Sequence, residues 1–268
     1  PTGPLPDLTA AGPHRATSRP GSYATRTCTL DYLIYEPQGG TTHDVAVILS
    51  HGFMRDRSKV AQWARRLASW GLQVITPNLC HATITDADHA QNGRELADLA
   101  NSHFGDKRIV YAGHSAGGLA STLAITHDTD ALGLFGLDIV DTDDLGKNAA
   151  RRLQVPVRGL IADPSWSCNM NNNGLAIYER APDAAVWRVA DTTHCDFENP
   201  TDGGCTTLCG WQWPAPAFSD AQQRDTISAL LTAYVLWVSG LDPRASAYWT
   251  SGEAPHDALV ASGLLEAP

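Results

Sequence analysis

The feature that most limits the fold of this chain is a regular alternation of short apolar runs with helical patterns. The runs span 29–35, 45–49, 74–76, 109–112, 132–137, 157–162 and 185–189, and each has strand length. Between them, Ser58 is placed to cap a helix with Val60, Trp63, Ala64 and Leu67 on one face and Gly71 as its stop. Residues 86–104 form a second helical pattern closed by Gly105, and 119–127 a third. Ser219 opens a long last helix, with Ile227, Leu230, Leu231, Tyr234 and Val238 at helical spacing before Gly240. Strands that alternate with helices predict an α/β fold: a mostly parallel central sheet flanked by helices on both faces. In such sheets functional groups collect outside the carboxyl ends of the strands.

At 268 residues and 43% hydrophobic composition, one domain over 25–268 is expected. Residues 1–24 carry prolines, glycines and small polar residues without periodicity, and are expected to be a flexible lead-in. A formal net charge of −10 argues against nucleic acid or an anionic membrane as the main partner. No apolar run approaches the roughly 20 residues of a transmembrane helix. The chain starts without Met and without a signal peptide, which is read as a leader already removed. Six cysteines, an even number, agree with that and predict up to three disulfides in a secreted or extracytoplasmic protein. Crowding of Cys195, Cys205 and Cys209 suggests a stapled loop after residue 194. Zinc is the rival use of these cysteines. They lack two CxxC knuckles, and His81 and His194 adjoin cysteines without ligand-like spacing, so no metal is expected. Asp141, Asp143 and Asp144 form an acidic loop without the glycine and glutamate of an EF-hand, and are read as solvated.

The segment 108–121, "RIVYAGHSAGGLAS", sets an apolar run against a serine fenced by glycines. A strand, then Gly-X-Ser-X-Gly, then a helix is the arrangement of a nucleophile elbow, with Gly113 and Gly117 leaving room for the tight turn around Ser115. A serine hydroxyl is a weak nucleophile until a base takes its proton. His194, in "THCDFENP" just past the last apolar run, is the expected base. His114 is locked beside the serine, His89, His103 and His127 belong to helices, and His14, His43, His81 and His256 lie in loops or tails. The backbone amides of Phe53, after "VAVILSHG", and of Ala116, next after the serine, are the expected oxyanion donors. His51 is expected to brace that loop. Asp138 ends "LGLFGLD" and Asp163 ends "VRGLIAD", and either could orient the imidazole.

"GHSAGG", "SHGF", "GLDIVD" and "THCDFENP" resemble the α/β-hydrolase superfamily. The nearest branch is that of the chlorophyllase, platelet-activating-factor acetylhydrolase and dienelactone-hydrolase-like serine esterases, and the chain is also similar to cutinase-like polyester hydrolases. The resemblance covers about residues 29 to 241. It implies carboxylic ester hydrolysis through an acyl-enzyme, with no metal or organic cofactor. In the chlorophyllase-like pattern the acid follows the strand after the elbow helix, which is Asp138 here. In the cutinase-like pattern it follows the next strand, where Asp163 comes about two residues early. Asp138 is therefore the preferred acid and Asp163 the runner-up.

Two loops, "DPSWSCNMNNNG" and "GGCTTLCGWQWPAPAF", carry Trp166, Trp211 and Trp213, expected to contact substrate. No long cap is inserted between 137 and 157, which points to an open cleft for a small-molecule, lipid or polymer ester. A monomer is expected. The rival class is a non-catalytic binding protein of the same fold. Such proteins usually lack the serine or the histidine, and both are present here.

Overall fold

In the computed structural model, which describes residues 3–41, 43–210 and 216–268, the seven expected runs are strands. They are β2 (Thr29–Pro37), β3 (Val45–Ser50), β4 (Gln73–Pro77), β5 (Arg108–His114), β6 (Gly133–Leu137), β7 (Val157–Ile161) and β8 (Ala184–Val189). Two more, β1 (Ala16–Ala24) and β9 (Leu265–Glu266), complete a nine-stranded sheet of order β1-β2-β4-β3-β5-β6-β7-β8-β9. The pairs from β4 through β8 are parallel; β1 with β2, β2 with β4 and β8 with β9 are antiparallel.

The helices are α1 (Ala61–Ser69), α2 (His89–Asp98), α3 (Ala116–Ile125), α4 (Leu145–Ala150), α5 (Leu175–Tyr178), α6 (Gly203–Cys209), α7 (Asp220–Val238) and α8 (Ala254–Ala261). They cover both faces of the sheet. In β3, Val45, Val47 and Leu49 pack into one core with Trp63 and Leu67 of α1 and Ile227, Leu230 and Tyr234 of α7. Ala46 and Ile48 point into the other core, with Leu96 of α2, Leu119 of α3 and Ala149 of α4. Because successive strand side chains face opposite ways, a strand covered on both faces must be apolar at every position. That is why the central strands read as unbroken runs.

The chain order also places the site. From β3 the chain steps to β4 on one side, then crosses to β5 on the other, so the loops after β3 and β5 diverge at the carboxyl edge. A crevice opens where the order reverses. The segments after β6 and β8 reach the same edge.

Several local expectations are corrected. Residues 16–24 are not a flexible lead-in but an edge strand paired with β2 at nine positions. Most of its side chains, Pro20 among them, are exposed, and its order comes from backbone pairing at an edge, where proline is tolerated. Leu8 is fully buried in the α1 core, and the Gly12 and His14 amides bond to Ser69. Asp56, not Ser58, caps the 3-10 turn Arg57–Val60 that leads into α1, accepting the Ser58 amide at 2.7 Å. Asp88 caps α2 by accepting the Gln91 amide at 2.8 Å, so that helix starts later than expected. Asp141 is buried rather than solvated: its carboxylate accepts the Gly146 and Lys147 amides at 2.8 and 3.0 Å and anchors the start of α4. All six cysteines pair, as Cys28–Cys80, Cys168–Cys209 and Cys195–Cys205. No helix among the described residues is long and apolar enough to cross a membrane.

Trp63 fills the α1 side of the core, and its indole N–H donates to the Phe197 carbonyl at 3.0 Å. Trp63→Ala is expected to lower the unfolding free energy by about 3–5 kcal/mol, through lost burial and the cavity left behind. Urea denaturation with an unchanged m-value measures it. A loss below about 1 kcal/mol would show that the ring is not part of the core.

Candidate active site

Ser115 sits between the last residue of β5 and the first of α3, with φ 54° and ψ −124°. A side chain with positive φ is strained, and persists only where its surroundings force it. Here they do. The Ser115 amide donates to the Leu137 carbonyl at 3.0 Å, and its carbonyl accepts the Gly118 and Leu119 amides at 3.0 and 3.2 Å. A Cβ on Gly113 would stand 2.4 Å from the Gly117 backbone, and one on Gly117 would stand 2.3 Å from the His51 carbonyl oxygen. Glycine is required at both, because three backbones meet there.

The third backbone is the turn after β3. Its ends are joined by the Arg55 amide donating to the Gly52 carbonyl at 3.3 Å, and Met54 takes φ 57°. A Cβ on Gly52 would lie 3.2 Å from the Ser115 Cβ, so this turn lies directly against the serine. Among the described residues, the amides of Phe53 and Ala116 donate to no acceptor. Ala116 is the first residue of α3, where an N–H has no partner within the helix. His51 holds the turn from behind. Its ring accepts the Leu79 amide through Nε2 at 2.9 Å and donates through Nδ1 to the Gly52 carbonyl at 2.8 Å. Burial lowers its pKa to about 4, which keeps the ring neutral in that bracing role.

His194 begins the 3-10 turn His194–Phe197 that follows β8. Its Nδ1 lies 2.6 Å from Oδ2 of Asp138. Asp138, fully buried just past β6, has φ 46°. Its other oxygen accepts the Ala162 amide at 3.0 Å, and Asn169 donates to Oδ2 at 3.2 Å. With a carboxylate accepting at Nδ1, the imidazole is held with its lone pair on Nε2. Asp163 is elsewhere. Its side chain is 46% exposed, with Arg188 3.9 Å away, and its pKa is raised by partial desolvation against the opposing pull of that arginine. The structure thus brings Asp138, and not Asp163, to His194.

Ser115 and His194 line one cleft of about 380 Å³, walled by Gly52 and Phe53 on one side and by the disulfides Cys168–Cys209 and Cys195–Cys205 on the other. Among the described residues no hydrogen bond joins the Ser115 hydroxyl to the His194 ring; such bonds are often loose before substrate binds. Two of the residues lining the cleft, Met54 and Leu208, are exposed apolar side chains, and Trp166 is 80% exposed. Trp166 precedes the cleft-lining Ser167 and Cys168. Trp211 and Trp213 lie outside the described residues.

Three participants were not singled out from the sequence. Asn169 is one, since within an asparagine-rich loop nothing marks which amide meets a buried acid. His114 is another. Its Nε2 donates to the His194 carbonyl at 3.0 Å, and burial, then the neighbouring His194, hold its pKa well below the ordinary histidine value. It is a neutral strut for the His194 backbone. The third is the pair Arg55 and Glu198, which line the same cleft. A scan against protein-family models finds no match for this chain, and neither does a search of curated proteins. The chemistry of the cleft is therefore read from its geometry.

The turn after β3 also leans on the segment after β4, whose Ala82 carbonyl accepts the Met54 amide at 2.7 Å. Within that segment His81 reaches two carboxylates, Asp86 through Nδ1 at 2.8 Å and Glu95 through Nε2 at 3.2 Å. Desolvation pulls the His81 pKa down, but the bond to Asp86 and the charge of Glu95 outweigh it and leave the value raised. A raised histidine pKa stabilises the fold fully below the unfolded value, about 6.5, and the benefit fades as pH climbs through the folded value. Asp86→Asn is therefore expected to destabilise more at about pH 6 than at about pH 9. Denaturant melts of both proteins at the two pH values measure the gap. A gap that does not change with pH would contradict this account.

Proposed function

We propose that this chain is a serine carboxylic-ester hydrolase of the α/β-hydrolase superfamily, working through an acyl-enzyme with Ser115, His194 and Asp138 as its triad. The observation that carries the reading is a convergence. A strained serine, a buried histidine–aspartate couple and two amides without acceptors come from four separate segments and meet at one cleft. The mostly parallel sheet with helices on both faces, and the position of the cleft at its carboxyl edge, support the superfamily assignment.

In the proposed mechanism, Nε2 of His194 takes the Ser115 proton as Oγ attacks the ester carbonyl carbon. The carbonyl oxygen, now negative, is held by the Phe53 and Ala116 amides. One such donor is typically worth about 10²–10³ in rate. Asp138 keeps the ring in the productive tautomer and stabilises its charged form. The imidazolium then protonates the departing alkoxide, leaving an acyl-Ser115. Water, deprotonated by His194, attacks that ester, and collapse of the second tetrahedral species frees the acid and restores the serine. No step calls on a metal or an organic cofactor.

The exposed apolar Met54 and Leu208 at the cleft favour esters with bulky or apolar groups, and support the narrower reading of a cutinase-like polyester hydrolase or lipase. Three disulfides support a protein that works outside the reducing cytoplasm.

A chromogenic short-chain ester with and without an organophosphate serine reagent tests the reading. Ser115→Ala is expected to lower kcat by about 10⁶ and to abolish labelling. Asp138→Asn should cost about 10⁴, while Asp163→Asn should stay near the wild-type rate. Turnover that persists in Ser115→Ala would remove that residue from its role.

A further inference from the structure

We propose that the half-buried Arg55–Glu198 ion pair is a positioning device: it holds the Phe53 amide and the His194 ring in one frame, and so governs kcat rather than substrate binding. The inference rests on the ester-hydrolase reading above. Two parts of the site come from irregular turns rather than from the sheet, and they lie far apart in sequence. One is the turn 52–55 after β3; the other is His194–Phe197 after β8.

Each turn ends in one member of the pair. Arg55 closes the first through its amide to Gly52. Glu198 closes the second through its amide to the Cys195 carbonyl at 3.1 Å. Their side chains meet as a fork, with Arg55 Nε donating to Oε1 at 2.6 Å and Nη2 to Oε2 at 2.7 Å. The Glu198 side chain is only 1% exposed, and a carboxylate so buried is tolerable only against a well-placed cation. The same Nη2 reaches Asp202 at 2.9 Å, and Lys59 reaches Asp202 at 2.5 Å. Asp202 caps α6, whose Cys205 is bonded to Cys195, next to His194. A closed loop of ionic, hydrogen and covalent bonds therefore runs from the oxyanion turn to the histidine and back. Backbone bonds reinforce it, from the Asn199 amide to the Lys59 carbonyl at 2.7 Å and from the Gln62 amide to the Asn199 carbonyl at 2.8 Å. Both side chains line the cleft, with Nε and Nη2 of the guanidinium and both carboxylate oxygens engaged in the fork. Their effect passes through the groups they hold.

Arg55→Lys keeps the charge and loses the fork; Glu198→Gln keeps the shape and loses the charge. In either variant kcat on the chromogenic ester is expected to fall about 10- to 100-fold, the scale of a displacement near 1 Å, with KM within about threefold. Affinity for a boronic acid, which forms a tetrahedral adduct that uses the oxyanion amides, should fall by the same factor as kcat/KM. The double variant should lose little more than the worse single one, since both break a single link. A thermal melt checks that each variant is folded, and Glu198→Gln carries the test should Arg55→Lys not fold. A folded variant with kcat unchanged, or one that raises KM and keeps kcat, overturns the proposal while leaving the hydrolase reading intact. A wild-type protein that neither turns over the ester nor takes the organophosphate overturns both.

Discussion

The site depends on one steric fact: around Ser115, three backbones approach one another more closely than a Cβ would allow. The elbow glycines Gly113 and Gly117 bring β5, α3 and the turn after β3 together, and Gly52 lays that turn against the serine. The positive φ at Ser115 is what this approach costs, and hydrogen bonds to Leu137, Gly118 and Leu119 hold it there. Neighbouring features follow from the same constraint. His51, neutral and bonded through both ring nitrogens, supports the turn after β3 from behind. His114, on the other side, supports the carbonyl of His194. The core beneath supplies the rigidity, through strands buried on both faces and Trp63 tied to the Phe197 carbonyl.

Electrostatics set the second layer. A fully buried carboxylate is costly unless its oxygens are satisfied, and Asp138 has the Ala162 amide, Asn169 and His194 for that purpose. Glu198 meets the same requirement with a guanidinium fork. One of these acids is bonded to the His194 ring, and the other fastens the turn that carries it. The disulfides Cys168–Cys209 and Cys195–Cys205 tie the loops of the Asp138 partner Asn169 and of His194 to α6, so the far wall of the cleft is covalently braced.

Much of this was legible in the residues, for physical reasons. Burial on both faces made the central strands unbroken apolar runs, and the need for room at the elbow put glycines at 113 and 117. The edge strands β1 and β9 left no such mark, because backbone pairing rather than side-chain burial holds them. Two aspartates end neighbouring strands, and only the sheet and the loop that supplies Asn169 decide which one reaches the imidazole. Cysteine spacing suggested a staple but could not choose partners such as Cys168 and Cys209, 41 residues apart. The Arg55–Glu198 pair joins residues 143 positions apart with no local pattern on either side.

A crystal structure of the protein after reaction with an organophosphonate tests the central claim most directly. The account predicts a covalent bond from phosphorus to the Ser115 Oγ, with the phosphoryl oxygen about 2.7–3.1 Å from the amide nitrogens of both Phe53 and Ala116. An adduct on another residue, or one on Ser115 whose phosphoryl oxygen turns away from both amides, would contradict it.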